Sequence, residues 1–217
     1  MKNIAEQIAK AALKIKAVKL QPDNPFTWAS GYKMPIYNDN RLFLFYPEYR
    51  KLIVQGFADL IKEKSIPCDM IAGTPTAGIP HGVSLANEIN KPFIYPRKWQ
   101  KGHGMQNKIE GVPPEETVKD KHVIMIEDLI STGGSSVESL EVIRSAGAKV
   151  DTCLSIFSYG FQKAQDAFDA INATYFSLIS LDTLIAVVEE EQYFNAEQIE
   201  LLRQWQTSPF TWGERFK

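Results

Sequence analysis

Apolar residues recur along this chain with two different periods. Ile4, Ile8, Ala11 and Ile15 fall at helical spacing, so the chain opens with an amphipathic helix. Pro47 starts a second helix, with Leu52, Ile53, Phe57, Leu60 and Ile61 on one face. From there, short apolar runs alternate with helical stretches. Asp69 to Ala72 reads as a strand, followed by the loop Gly73 to Gly78 and a helix through about Asn90. Further strands are predicted at Pro92 to Tyr95, 122–126, 149–158 and Tyr175 to Ile179. Helices are predicted at 135–146, 161–171, near 181–190 and at 195–206, before a tail rich in aromatics. Apolar runs of four or five residues bounded by turn signals are the mark of strands covered on both faces. Their alternation with helices predicts an α/β fold with a central, mostly parallel sheet flanked by helices.

Two stretches break the alternation. Residues 20–42 are rich in Pro, Gly, Asn and aromatics and read as a hairpin or structured loop. Residues 97–118 are mostly polar and lack periodicity, and a long segment of that kind in a compact domain often serves as a functional lid. There is no internal repeat. At 217 residues, 44% of them hydrophobic, the chain fits one domain with a sizeable core. A net charge of −2 gives no global signal for nucleic acid or an anionic membrane. Two cysteines, Cys68 and Cys153, make neither a disulfide framework nor a metal spacing, which suggests a reduced, cytoplasmic setting. The first twenty residues lack the apolar core of a signal peptide, and no stretch approaches a membrane span.

Candidate chemistry gathers at three strand ends. The most informative runs from Val123 to Ser135, where an apolar strand reaches Glu127 and Asp128 and passes into Leu129-Ile130-Ser131-Thr132-Gly133-Gly134-Ser135. The glycines let peptide N–H groups converge on an anion, and the helix that follows adds its positive end. It is no Walker loop, since the Gly-Lys-Ser/Thr ending is missing and acids precede the turn. Carboxylates there suit ribose hydroxyls, or a hydrated Mg²⁺ held jointly with substrate phosphates. A phosphorylated sugar answers both needs. The second loop, Gly73 to Gly78, is small and hydroxyl-bearing and suits a phosphate or pyrophosphate, although an ordinary turn reads the same way. The third is the lid candidate, where Arg97, Lys98, Lys101, His103 and Lys108 lie among glycines and can close over a polyanion.

These segments resemble the type I phosphoribosyltransferases. Ile126 to Ser136 is similar to the signature that binds phosphoribosyl diphosphate. The run Phe26-Thr-Trp-Ala-Ser-Gly-Tyr-Lys-Met-Pro-Ile-Tyr-Asn-Asp-Asn-Arg41 resembles the N-terminal hood of the family's orotate-using branch. Gly73 to Gly82 resembles its pyrophosphate loop, and Tyr95 to Gly104 the start of its mobile catalytic loop. The resemblance implies a single domain over 1–217, with residues 1–45 contributing a hood over the base site. It implies that Glu127 and Asp128 bind the ribose hydroxyls and that Leu129, Ile130, Ser131, Thr132, Gly133, Gly134 and Ser135 wrap the 5-phosphate. Ser131 would also lie near the base. Arg97, Lys98, Lys101 and His103 would meet the diphosphate, with Lys101, His103 and Asp128 taking part in catalysis. Lys19 and Phe26, with the hood through Tyr37, would cover the pyrimidine; each hood aromatic is equally readable as core packing. Mg²⁺ is the implied cofactor, no residue being assigned as its ligand. A homodimer sharing the lid across its interface is the implied assembly.

The implied reaction joins orotate to phosphoribosyl diphosphate and releases diphosphate. Alternatives are a phosphoribosyltransferase for another base and a non-catalytic sensor of phosphoribosyl diphosphate. Two departures stand out. Ser131 replaces a threonine common in relatives, which keeps the hydroxyl. The chain also reads Ser158-Tyr159-Gly160-Phe161 where some relatives place an arginine that meets the orotate carboxylate. Backbone N–H groups of the hood, or Lys33, are then the candidates for holding that group.

Overall fold

A computed structural model describes residues 2–28, 30–97 and 109–216. The elements in chain order are α1 (Lys2–Lys14), β1 (Val18–Leu20), β2 (Phe26–Thr27), β3 (Lys33–Met34), β4 (Ile36–Asn38) and a 3-10 helix (Asn40–Phe45). Next come α2 (Pro47–Glu63), β5 (Met70–Gly73), α3 (Gly78–Glu88), β6 (Phe93–Pro96), β7 (Ile109–Glu110) and β8 (His122–Ile130). The chain continues with α4 (Gly134–Ser145), β9 (Lys149–Ser158), α5 (Gln162–Asp169), β10 (Thr174–Ser180), α6 (Leu181–Glu190), α7 (Ala196–Thr207) and a second 3-10 helix (Trp212–Phe216).

Six strands form one sheet in the order β10-β9-β8-β5-β6-β7, parallel except for the antiparallel edge strand β7. The alternation of side chains along β8 builds two cores. Ile124 and Ile126 join Ile8, Phe57 and Leu85 beneath α1, α2 and α3. Val123 and Met125 join Leu140, Ile143 and Phe168 beneath α4 and α5 on the other face. This is the expected covered parallel sheet. Edge strand β7 falls inside the stretch read as lacking structure: Tyr95 pairs with Glu110 and Pro96 with Ile109. A two-residue strand is too short to carry a readable period.

The N-terminal segment makes two small antiparallel pairs. β1 pairs with β4, Lys19 opposite Tyr37, and β2 with β3, Thr27 opposite Lys33. The aromatic tail fixes this segment in place. The Trp205 indole N–H donates to the Met34 sulfur at 3.0 Å, and Tyr32 packs edge-on to Phe210 with ring centroids 5.4 Å apart. Gly213 lies so close to β3 that a Cβ there would stand 2.6 Å from the Lys33 carbonyl oxygen. Among the described residues, no helix is long and apolar enough to cross a membrane.

Candidate active site

β5 and β8 are neighbours, Gly73 opposite Ile126, so the turns that follow them open side by side at the carboxyl edge of the sheet. The Thr74 N–H donates to the Ile126 carbonyl at 2.9 Å. A Cβ at Gly78 would lie 2.2 Å from that same oxygen, so only glycine lets the two turns approach this closely. The Pro75–Thr76 peptide is cis. The Thr74 hydroxyl is buried and has no partner among the described residues.

β8 runs further than its apolar pattern. Glu127 remains opposite Ser155, Leu129 opposite Phe157 and Ile130 opposite Ser158. Leu129 and Ile130 are therefore strand residues, so β8 extends four residues beyond the predicted 122–126. The reason is burial: Ile130 is 1% exposed and packs in the α4–α5 core. The turn itself is Ser131-Thr132-Gly133, and α4 starts at Gly134. Gly133 has φ +79°, and a Cβ there would stand 3.2 Å from the Phe168 ring, so shape and backbone both ask for glycine. No side chain caps α4, so the N–H groups of its first turn are left for a ligand. Ser131 and Thr132 are half-buried beside it, and Gly134 and Ser135 are exposed.

The two acids are built in by the backbone around them. Glu127 is buried; its Oε1 accepts from the Asp128 N–H at 3.0 Å and its Oε2 from the Ser136 hydroxyl at 3.1 Å. The Asp128 carbonyl accepts from the Asn40 amide at 2.7 Å, which ties the end of β8 to the first 3-10 helix. Burial raises the Glu127 carboxyl from 4.5 to about 8, and the Asp128 charge adds to the shift. Burial raises Asp128 too, opposed by hydrogen bonds with Glu127 and the Leu129 N–H and by the charge of Arg41. Arg41 is held by a bidentate pair with Asp39, at 2.6 and 2.9 Å.

These shifts set a pH dependence. The folded protein keeps a proton on Glu127 that the unfolded chain releases near 4.5, so this stabilisation is complete below that pH and lost as pH rises through about 8. The thermal midpoint of the ligand-free protein is expected to fall between about pH 4.5 and pH 8 and to level off above that. Glu127→Gln is expected to flatten that fall, as read by calorimetry at several pH values. An unchanged slope in the variant would assign the dependence to other groups.

Beside Ser131 lies an open cleft of about 430 Å³, lined among others by Thr27, Trp28, Tyr37, Asn38, Ser131 and Tyr159. Lys19 is exposed, with its Nζ 5.7 Å from the centre of the Tyr37 ring. Phe26 packs on Tyr37 with centroids 5.9 Å apart and is not among the cleft-lining residues. Trp28 serves both of its possible roles, lining the cleft while its indole N–H donates to the Ile36 carbonyl at 2.8 Å. A second, narrow cavity of about 50 Å³ joins the β5–α3 turn to α4; Thr74, Pro75, Arg97 and Ser135 line it. The Arg97 guanidinium pairs with Glu110. Lys98, Lys101 and His103, the other cations expected at the diphosphate, lie outside the described residues.

Sequence reasoning had no means of singling out Asn40 and Ser136, which brace the acids, because each acts through a tertiary contact. Ser136 does fall nine residues after Glu127, in the first turn of α4, where a small hydroxyl residue on the inner face is a faint signal.

A parallel sheet with a buried acid pair, a glycine turn and a base-sized cleft at one edge defines a class of transferases acting on phosphorylated sugars. The family model for the phosphoribosyl transferase domain matches residues 45–193. Orotate phosphoribosyltransferase of Cytophaga hutchinsonii is 43% identical over 210 residues, which cover 97% of this chain and 99% of that protein. The Staphylococcus aureus enzyme of the same name is 45% identical over 202 residues, covering 93% and 98%. The crystal structure of orotate phosphoribosyltransferase from Aeropyrum pernix superposes with a TM-score of 0.73 at 26% identity, covering 87% of this chain and 99% of that one. The chain belongs to the orotate phosphoribosyltransferase family.

Proposed function

We propose that this protein transfers the phosphoribosyl group of 5-phosphoribosyl 1-diphosphate to orotate, giving orotidine 5′-phosphate and diphosphate in pyrimidine biosynthesis. The observation that carries this reading is the placement of Glu127 and Asp128 between two sites: the open first turn of α4 on one side and the base-sized cleft beside Ser131 on the other. A sugar whose hydroxyls meet the acids has its 5-phosphate at the Ser131–Ser135 turn and its anomeric carbon towards the cleft.

The chemistry asks for what these residues offer. Cleavage at the anomeric carbon builds positive charge on the ring and negative charge on the leaving diphosphate. Asp128 and Glu127 meet the ribose hydroxyls, and the negative charge of Asp128 favours the cationic ring. Thr74 and Arg97 line the narrow cavity beside the turn, on the side proposed for the diphosphate, and Lys98, Lys101 and His103 are the further cations proposed to meet the leaving group. Each preorganised charge is worth a few kcal/mol, and positioning two substrates contributes on the order of 7–11 kcal/mol at best. A closing lid keeps water from the activated sugar. Mg²⁺ fits this site as a shared ion: the described residues hold no group of three or more acids, histidines or cysteines that would cage a metal, while a carboxylate beside substrate phosphates is a usual Mg²⁺ setting. When bound, it neutralises charge on the diphosphate.

The assembly we propose is a cytoplasmic homodimer that shares its lid. Leu42, Phe45 and Val83 are exposed apolar residues on the first 3-10 helix and α3, with Phe45 83% exposed, and a second copy is the natural cover for them. The function is tested by following orotate absorbance after adding phosphoribosyl diphosphate and Mg²⁺, alongside uracil, adenine and guanine. Turnover is expected with orotate alone. Turnover with another base instead, or binding of the sugar diphosphate without product, would overturn the reading in favour of another base specificity or a sensor.

A further inference from the structure

The cleft beside Ser131 holds polar groups with nothing to bind. Both amide atoms of Asn38 are buried and have no partner among the described residues. Leaving such a group unpaired destabilises the protein, a cost a ligand can remove. The same cleft is lined by Tyr159, 3% exposed, whose hydroxyl makes no hydrogen bond among the described residues.

The Tyr159 ring is held on several sides. It stacks on Phe161 at 5.2 Å and 13°, meets Phe157 and Trp205 edge-on at 5.1 and 5.8 Å, and touches Trp28 at 5.5 Å. Its N–H donates to the Ile130 carbonyl at 3.3 Å, which fixes it to the end of β8 next to Ser131. Burial holds the phenol in its protonated, donating form. Among the described residues, cations stand at the margin of the cleft and not in its lining. Lys33 donates to the Thr27 hydroxyl at 2.8 Å, Lys19 stands over Tyr37, and no arginine lines the cleft. An anionic substituent entering this space therefore meets neutral donors among the lining residues, with the Asp128 carboxylate near enough to act on the Tyr159 phenol.

We infer that Asn38 and Tyr159 are the base-binding residues that hold the carboxylate of orotate, through the Asn38 amide and the Tyr159 hydroxyl. The inference rests on the reading of this cleft as the base site, and it gives neutral donors the task for which the chain lacks an arginine. Donors preorganised in a partly dry site bind an anion without the desolvation that a buried guanidinium requires. Asn38 and Tyr159 then decide between orotate and bases without a carboxylate.

Tyr159→Phe removes the hydroxyl and keeps the ring packing, and Asn38→Ala removes the amide. Orotate binding is read by titration calorimetry, and turnover from orotate absorbance. Each variant is expected to raise the Kd and KM for orotate about tenfold, with the KM for phosphoribosyl diphosphate within twofold of wild type. Asn38→Asp, which sets a negative charge against the carboxylate, is expected to weaken orotate further than Asn38→Ala. Orotate affinities within twofold of wild type in both neutral variants, or a wild-type protein that binds no orotate, would overturn the inference. A wild-type protein that binds orotate but forms no nucleotide overturns the proposed reaction instead, and the variants' Kd values then decide the inference alone.

Discussion

Asp128→Asn is expected to lower turnover about a hundredfold and weaken phosphoribosyl diphosphate binding, while the protein folds as well as before or better. A unit charge about 5 Å from a cationic ring, at an effective dielectric near 20, contributes about 3 kcal/mol, and 1.36 kcal/mol is a factor of ten in rate. The substitution preserves shape and leaves the backbone carbonyl that accepts from Asn40 in place. It also removes one of two adjacent acids, both raised by burial, of which Asp128 adds its charge to the shift of Glu127. The fold bears that electrostatic cost for the sake of the site, so losing it is expected to leave the thermal midpoint unchanged or higher. Steady-state kinetics in both substrates, with calorimetry at the same pH, separates the two effects. Unchanged turnover and sugar-diphosphate affinity would remove the carboxylate from the reaction.

Where the sequence was legible, the reason is periodicity. β9 occupies 149–158 as expected, and α6 occupies 181–190, because each buries a regular face over seven or more residues. β8 was read four residues short, since Glu127 and Asp128 look like the end of an apolar run while the backbone continues pairing with β9 beneath them. The acid pair and the glycine turn were readable because their chemistry is local. Asn38, Asn40 and Tyr159 were not, since an asparagine in a polar stretch and a tyrosine at a strand end acquire their roles only when hood, sheet and tail come together. The aromatic tail gave no hint that it would fix the hood, because Trp205 and Met34 are 171 positions apart in the chain.

Lys101→Ala is expected to reduce turnover at least a hundredfold with the fold intact. The departing diphosphate gains charge as the glycosidic bond breaks, and a cation that meets it in the transition state but not in the ground state lowers the barrier directly. A hundredfold corresponds to about 2.7 kcal/mol, the size of one well-placed charged donor. The segment that carries Lys101 is flanked by β6 and β7, which pair Pro96 with Ile109, and Arg97 at its start lines the narrow cavity next to Thr74 and Ser135. That places both flanks of the segment beside the narrow cavity where the proposed reaction needs the diphosphate. Because the residue acts on the leaving group, kcat is expected to fall far more than the affinity for orotate changes. A variant within threefold of wild-type turnover would exclude Lys101 from the chemistry. Mixing Lys101→Ala with Asp128→Asn then tests lid sharing. In a dimer whose lid serves the neighbouring site, a mixed dimer pairs the two defects in one site and leaves the other intact, so activity is recovered towards a quarter of wild type. If each lid serves its own subunit, every site keeps one defect and mixing recovers nothing.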